Sequence, residues 1–241
     1  MSTEGEKHQL EQNQSEQIDS RRLALSMVAM PLCLFLLMFL PAGTWAWRRG
    51  WLFIGVLLVL GVAAWVFMRR VNPDLLAARV NAHEGTKSWD KVLLAFLFLA
   101  MFTIFPVAAL DDERFHWSSL TWWAVLLGYA LLIAGLVLLT WAQGVNKFFE
   151  PTVRIQADRG QTVIDTGPYA VVRHPGYASW SPIAVGLALC LGSLWALIPA
   201  GLSMAVLILR THWEDQTLQA ELPGYKEYAQ RVRSRLLPGV W

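Results

Sequence analysis

The stretch Gly167-Pro168-Tyr169-Ala170-Val171-Val172-Arg173-His174-Pro175-Gly176-Tyr177 sets an arginine, a histidine, two tyrosines and two prolines at the threshold of a long apolar run. That run, Tyr177 to Leu209, is followed at once by Arg210, His212, Glu214 and Asp215. A guanidinium at Arg173 or Arg210 can clamp a carboxylate or phosphate through two planar hydrogen bonds. At the edge of an apolar slab it can equally snorkel to lipid headgroups. His174 precedes Pro175, which pushes its backbone toward extended geometry. It can exchange hydrogen bonds with a polar ligand, or simply cap the helix that follows. Glu214 and Asp215 can balance a bound cation or accept from a ligand's amine or ribose hydroxyls; an exposed acidic turn is the plainer alternative. Arg210 and Glu214 stand four residues apart, so on a helix they can also pair with each other. Tyr225 and Tyr228, one helical turn apart, can stack over a cofactor ring or pin a tail helix to the membrane surface. Asn146, in Asn146-Lys147-Phe148-Phe149, is a weaker candidate for the same site. Metal binding needs more convergent ligands than these residues offer.

The elements that must carry these residues are membrane helices. The chain is 55% hydrophobic and 16% charged, against about 25% charged in soluble domains, and its apolar residues lie in long runs. The expected fold class is all-α: a polytopic helical membrane protein with four spans, a C-terminal transmembrane helical hairpin and cytoplasmic helices. The spans are Leu23 to about Leu40, with Pro31 and Pro41 able to kink or end it, then Trp51–Met68, Val92–Leu110 and Leu120–Gln143. Each is near the ~20 residues that cross a bilayer core. Gly128 and Gly135 in the fourth allow close helix contact. Residues 1–20 are polar and read as a disordered tail. Three regions result: 1–20, 21–143 and 144–241. In the third, 158–161 reads as a turn, 211–222 as a helix stopped by Pro223-Gly224, and Tyr225–Arg235 as a second helix.

The run Tyr177–Leu209 would measure roughly 50 Å as one helix, against a ~30 Å hydrocarbon core. With Gly192-Ser193 near its middle, two short helices folded as a hairpin, about Tyr177–Leu191 and Leu194–Leu209, fit better than one tilted helix. A hairpin returns Arg210 and Glu214 to the face that holds Arg173 and His174. Charge supports this. Basic residues follow the second run (Arg69, Arg70, Arg79, Lys87, Lys91), the fourth (Lys147, Arg154, Arg159, Arg173) and the last (Arg210, Lys226, Arg231, Arg233, Arg235). The loop Asp111-Asp112-Glu113-Arg114 is acidic. The positive-inside rule makes the basic segments cytoplasmic, with Arg48-Arg49 dissenting. Tryptophans near the run ends, among them Trp45, Trp47, Trp51, Trp89, Trp117, Trp122, Trp123, Trp141, Trp180 and Trp213, read mainly as an interfacial belt. Net charge is only +2, which gives a nucleic-acid partner no electrostatic support. Cys33 and Cys190 lie inside apolar runs and read as inert packing thiols. Dinucleotide, P-loop and GxSxG signatures are absent from the sequence.

Residues 146–241 resemble the membrane-integral isoprenylcysteine carboxyl methyltransferase family, which includes phospholipid methyltransferase relatives. The likeness is carried by Gly167-Pro168-Tyr169 and by Val172-Arg173-His174-Pro175-Gly176-Tyr177. It continues in Arg210, Glu214-Asp215-Gln216-Thr217-Leu218, Gly224-Tyr225-Lys226-Glu227-Tyr228 and Arg235-Leu236-Leu237-Pro238-Gly239-Val240-Trp241. The resemblance implies S-adenosylmethionine as cofactor, held between the Arg-His-Pro motif and the C-terminal helices. The implied cofactor-binding residues are Gly167, Pro168, Tyr169, His174, Pro175, Tyr177, Glu214, Asp215, Tyr225 and Tyr228. The implied catalytic residues are Arg173, Arg210 and Glu214, with Arg210 the first choice to hold an acceptor carboxylate. Many members of that family carry two glutamates where this chain has Glu214-Asp215. The expected activity is methyl transfer to a lipid-like or isoprenylcysteine-type carboxylate, on the cytoplasmic face of a multi-pass protein. Its partners are that acceptor and membrane lipids, not nucleic acid. The oligomeric state stays open. Two other readings are carried: a reductase related to the sterol reductases that uses a reduced nicotinamide cofactor, and a small transporter or membrane scaffold. A transporter would place ionisable residues mid-span, whereas here they cluster toward one face.

Overall fold

The computed structural model of the chain describes residues 29–73, 75 and 85–241. The polar tail 1–20, Arg21-Arg22, the start of the first apolar run and Arg79 lie outside the described residues. Among the described residues the regular elements are all helical.

Helix α1 is described over Ala29–Ala42. It passes through Pro31 and stops just after Pro41, where Gly43 turns left-handed at φ 72° and returns its N–H to Phe39 and Leu40. Helices α2 (Arg48–Val71), α3 (Ser88–Ala109) and α4 (Trp122–Val145) follow the expected apolar runs. Their ends differ from those runs by a few residues: α2 takes in Arg48-Arg49-Gly50 and continues to Val71, α3 begins earlier at Ser88, and α4 is shifted two residues along the chain. The last three are long and apolar enough to cross a membrane, whereas α1 as described is shorter than a span. Three of the four expected spans are thus present among the described residues.

The acidic segment expected as a loop is instead a π-helical turn, Leu110–Phe115, that prolongs α3. The wide turn sends its adjacent acids to different neighbours. Asp111 accepts from Ser118 N at 2.7 Å, Ser118 Oγ at 2.5 Å and Ser193 Oγ at 2.6 Å. Asp112 accepts from Trp47 Nε1 at 2.7 Å and is ion-paired with Arg49. These contacts tie together three chain reversals at the end of the bundle remote from Arg173. They correct two sequence expectations. Trp47 is 1% exposed, a hydrogen-bonded core residue rather than part of a belt. The dissenting charge of Arg49 is neutralised by Asp112.

The C-terminal half comprises α5 (Pro175–Ala178), α6 (Trp180–Cys190), α7 (Leu197–Glu221) and α8 (Tyr225–Arg231). Helix α4 packs along α6, and α7 packs on α3 and α6. The α4–α6 contact is set by glycines. A Cβ on Gly135 would lie 2.6 Å from Ile183 Cγ1, and one on Gly186 would lie 2.6 Å from Leu132 N. A Cβ on Gly128 would collide with the backbone nitrogen of Cys190. Backbones this close exclude lipid between the helices, as small residues do at membrane helix contacts.

Helix α6 is closed off by Gly192, two residues past its end, whose φ is 84°. Gly192 N–H bonds Leu189 O and Ser193 N–H bonds Ala188 O, both at 3.0 Å. This is the paired 5→2 and 6→1 bonding of a Schellman cap, and it reverses the chain into α7. The expected break between an arm ending near Leu209 and a helix 211–222 does not occur: α7 is continuous to Glu221. The change from apolar to polar sequence at Arg210 alters what the helix touches without interrupting it. Helix α8 stops at Arg231, short of the expected Arg235, because Ser234 and Arg235 leave the helix to pair with the Arg173-His174 backbone.

Candidate functional site

The motif Gly167–Tyr177 builds a narrow shelf in two turns. Gly167, at φ 58°, opens a 3₁₀ turn with Pro168 behind it, and the shelf ends at Pro175, the first residue of α5. Between them Arg173 N–H donates to Ser234 O and His174 N–H to Arg235 O, each at 3.0 Å. His174 sits at φ −125°, ψ 63°, non-helical as a residue before proline must be.

Behind the shelf lies Asp215, 0% exposed. It receives Arg173 through two bonds, Nε to Oδ1 at 2.7 Å and Nη2 to Oδ2 at 3.0 Å. It also accepts from Gln219 Nε2 at 2.9 Å, Arg235 Nε at 3.0 Å and Tyr225 OH at 3.1 Å. His174 Nε2 lies 3.3 Å from its Oδ1. Burial pushes the Asp215 carboxyl upward, but the hydrogen bonds from His174, Arg173 and Arg235 outweigh it and hold the group far below the usual carboxylate range. Burial followed by the charge of Asp215 pushes the Tyr225 phenol up, so it remains a donor. Arg173 donates in addition to Val232 O and Arg233 O, each at 2.8 Å. All three of its guanidinium nitrogens are thus engaged by the chain itself.

In front of the shelf the adjacent acid has a different environment. Glu214 is half-buried, and among the described residues its hydrogen-bond donor is the Tyr177 hydroxyl. The Tyr177 ring stacks on His174 at 5.7 Å with 5° between planes, and the Arg210 guanidinium lies 5.1 Å from its centroid on a cation–π contact. Arg210 does not pair with Glu214, the partner its spacing allowed. It donates to Asp90 of α3, Nε to Oδ1 at 2.7 Å and Nη2 to Oδ2 at 3.2 Å, and to Pro151 O at 2.7 Å.

Between the shelf, α7, α8 and the segment 146–164 is a cleft of about 110 Å³. Of the expected site residues, Tyr169, Arg173, His174, Tyr177, Glu214, Tyr225 and Tyr228 line it. Gly167, Pro168, Pro175, Asp215 and Arg210 do not; they support the wall from behind. Tyr228 fixes the shelf by donating to Tyr169 O at 2.7 Å. Asn146 does reach the cleft, donating to Tyr169 OH at 3.0 Å.

Sequence reasoning missed most of the opposite wall. Glu150 is held by Arg154 at 2.8 and 2.9 Å. Gln156, 2% exposed, bonds Phe148 O and Gln161. Thr152 Oγ1 is buried at the cleft and has no hydrogen-bond partner among the described residues. Asp90, which pins this wall by accepting from Val153 N at 2.7 Å, was also missed. Its only sequence signal is an acid inside the first turn of a strongly apolar helix.

Residues 123–222 match the family model of the phospholipid methyltransferases, membrane-integral methyltransferases related to the isoprenylcysteine carboxyl methyltransferases. The match runs from α4 to the end of α7 and includes the shelf, Glu214 and Asp215. No curated protein matches the chain. The family and the three apolar helices make this an integral membrane protein.

Proposed function

We propose that this chain transfers the methyl group of S-adenosylmethionine to a lipid-like acceptor at the cytoplasmic surface of the membrane. The observation that carries the reading is the cleft itself. It lies largely within the segment that matches a methyltransferase family and presents two half-buried carboxylates beside aromatic rings, Glu150 neutralised by Arg154 and Glu214 bonded to the Tyr177 hydroxyl. The residues fit such a donor: Glu214 offers charge to a cationic group, Tyr225 offers aromatic surface, and the Thr152 hydroxyl, unpartnered among the described residues, offers a hydrogen bond. The donor supplies an already activated methyl on a sulfonium. The chain's task is then alignment and exclusion of water.

Glu214, oriented by Tyr177, is the proposed binding carboxylate. Tyr169, His174, Tyr225 and Tyr228 shape the same wall. Arg173 and Arg210 were the expected clamps for an acceptor carboxylate. Each already holds an aspartate, with Arg173 fully engaged and Arg210 outside the cleft lining, so both serve here as positioning groups. Asp215 likewise positions Arg173 and His174, while Gly167, Pro168 and Pro175 shape the shelf. A site at the membrane surface, as proposed here, lets a lipid-like acceptor approach sideways from the bilayer. The basic residues around the cleft support a cytoplasmic orientation. A methyltransferase match supports methyl transfer over the reductase reading.

The test is incubation of the purified protein with donor labelled in its methyl group and membrane lipid extract. Base-labile label marks a carboxyl ester, and base-stable label on a headgroup amine marks a phospholipid. Retention of a reduced nicotinamide in place of the methyl donor would overturn the proposal.

A further inference from the structure

We infer that Asp90 is a positioning residue for the cleft, setting the orientation of Glu214 through Arg210 and Tyr177. The inference rests on the reading of Glu214 as the donor-binding carboxylate, and it reaches a residue outside the segment that matches the family.

The chain of contacts is continuous. Asp90 is 0% exposed and Arg210 is 3% exposed, and they are joined by two hydrogen bonds at 2.7 and 3.2 Å. A charged pair so deeply buried holds its geometry, because separating it strands a charge away from water. The carboxylate fixes the plane of the guanidinium, which lies 5.1 Å from the Tyr177 ring centroid. The same ring meets His174 in near-parallel stacking. Packed against both planar groups, the ring directs its hydroxyl to Glu214 Oε2. Glu214 has no second protein donor among the described residues, so its carboxylate takes its orientation from Tyr177. The α3–α7 contact thereby reaches the cleft.

The test is a double-mutant cycle on the full-length protein in lipid nanodiscs, read as equilibrium binding of S-adenosylmethionine. Asp90→Asn and Tyr177→Phe each weaken binding about tenfold, the scale of one misplaced hydrogen bond to Glu214. The double variant is no weaker than the weaker single, because both cut one path. Additive losses, or wild-type affinity in Asp90→Asn, overturn the inference; a general loosening of the fold would add. If Asp90→Asn does not fold, Asp90→Leu combined with Arg210→Met removes the pair without stranding a charge, and wild-type binding by that variant is equally fatal. Wild-type protein that binds no donor overturns the cofactor reading instead. The same cycle read on the melting temperature of ligand-free protein then tests the linkage alone, with additivity refuting it.

Discussion

Two adjacent acids in this chain are expected to fail in opposite ways. Asp215→Asn removes a negative charge that is 0% exposed and that neutralises Arg173, whose own side chain is 6% exposed. Breaking a buried pair by removing one partner costs about 3–5 kcal/mol, because the remaining charge is left unpaired. The second cation, Arg235, has a side chain 21% exposed, so water screens its loss and it adds little. A loss of about 3–5 kcal/mol is a large part of the ~5–15 kcal/mol that holds a domain together. At roughly 2–4 °C per kcal/mol for a chain of this size, the melting temperature falls by about 10 °C. Glu214→Gln removes a half-buried charge that meets a single neutral hydroxyl. Its expected cost to melting is under about 1 kcal/mol, the scale of one neutral hydrogen bond, while donor binding falls at least tenfold. The sign with pH follows from Asp215. Its carboxyl is depressed in the fold, so its contribution is fully present above the unfolded value near 3.9 and is lost as pH falls below that value. Acid should therefore destabilise the wild type more than Asp215→Asn. Thermal unfolding in nanodiscs across pH 3–7, paired with donor-binding isotherms, reads both effects. A melting shift under 1 kcal/mol in Asp215→Asn, or unchanged donor binding in Glu214→Gln, would refute the division of roles.

Three further outcomes are expected. Thr152→Val should weaken donor binding about two- to tenfold, the worth of one hydrogen bond, yet leave ligand-free melting unchanged or raised, since an unpaired buried hydroxyl is a cost; isotherms and melting curves check this. Gly186→Ala should lower the melting temperature by the equivalent of about 1–3 kcal/mol, because its Cβ meets Leu132 N at 2.6 Å and α4 must move away. In a Cys33→Ala, Cys190→Ala background, single cysteines at the exposed positions Val171 and Lys226 should react with an impermeant reagent from one side of a sealed vesicle, and one at His116 from the other. Labelling of Val171→Cys and His116→Cys from the same side would sink the proposed orientation.

The helices α2, α3 and α4 were legible because lipid demands long apolar runs. The juxtaposition of Arg173-His174 with Glu214-Asp215 was legible because Gly192-Ser193 interrupts a run too long for one span. Other features were hidden by ambiguity of type. Polarity changes at Arg210, and polarity was taken for a boundary, yet a helix ends only where its backbone bonding ends. Arg210 offered an obvious partner in Glu214 at helical spacing; the nearer carboxylate came from α3 and left no trace in local spacing. Trp47 looked like other interfacial tryptophans until its indole was seen on Asp112. The wall 146–164 carries no periodicity, and its contribution to the cleft depends on tertiary contacts such as Val153 to Asp90.

The Asp90–Arg210 pair also imposes an order on biogenesis. Its members are 120 positions apart, and a ribosome adding about 5–20 residues per second delivers the arginine some 6–24 s after the acid. During that interval α3 must wait at the headgroup region with its carboxyl hydrated. Seating of α3 is thus a late event, completed when α7 arrives to neutralise that acid.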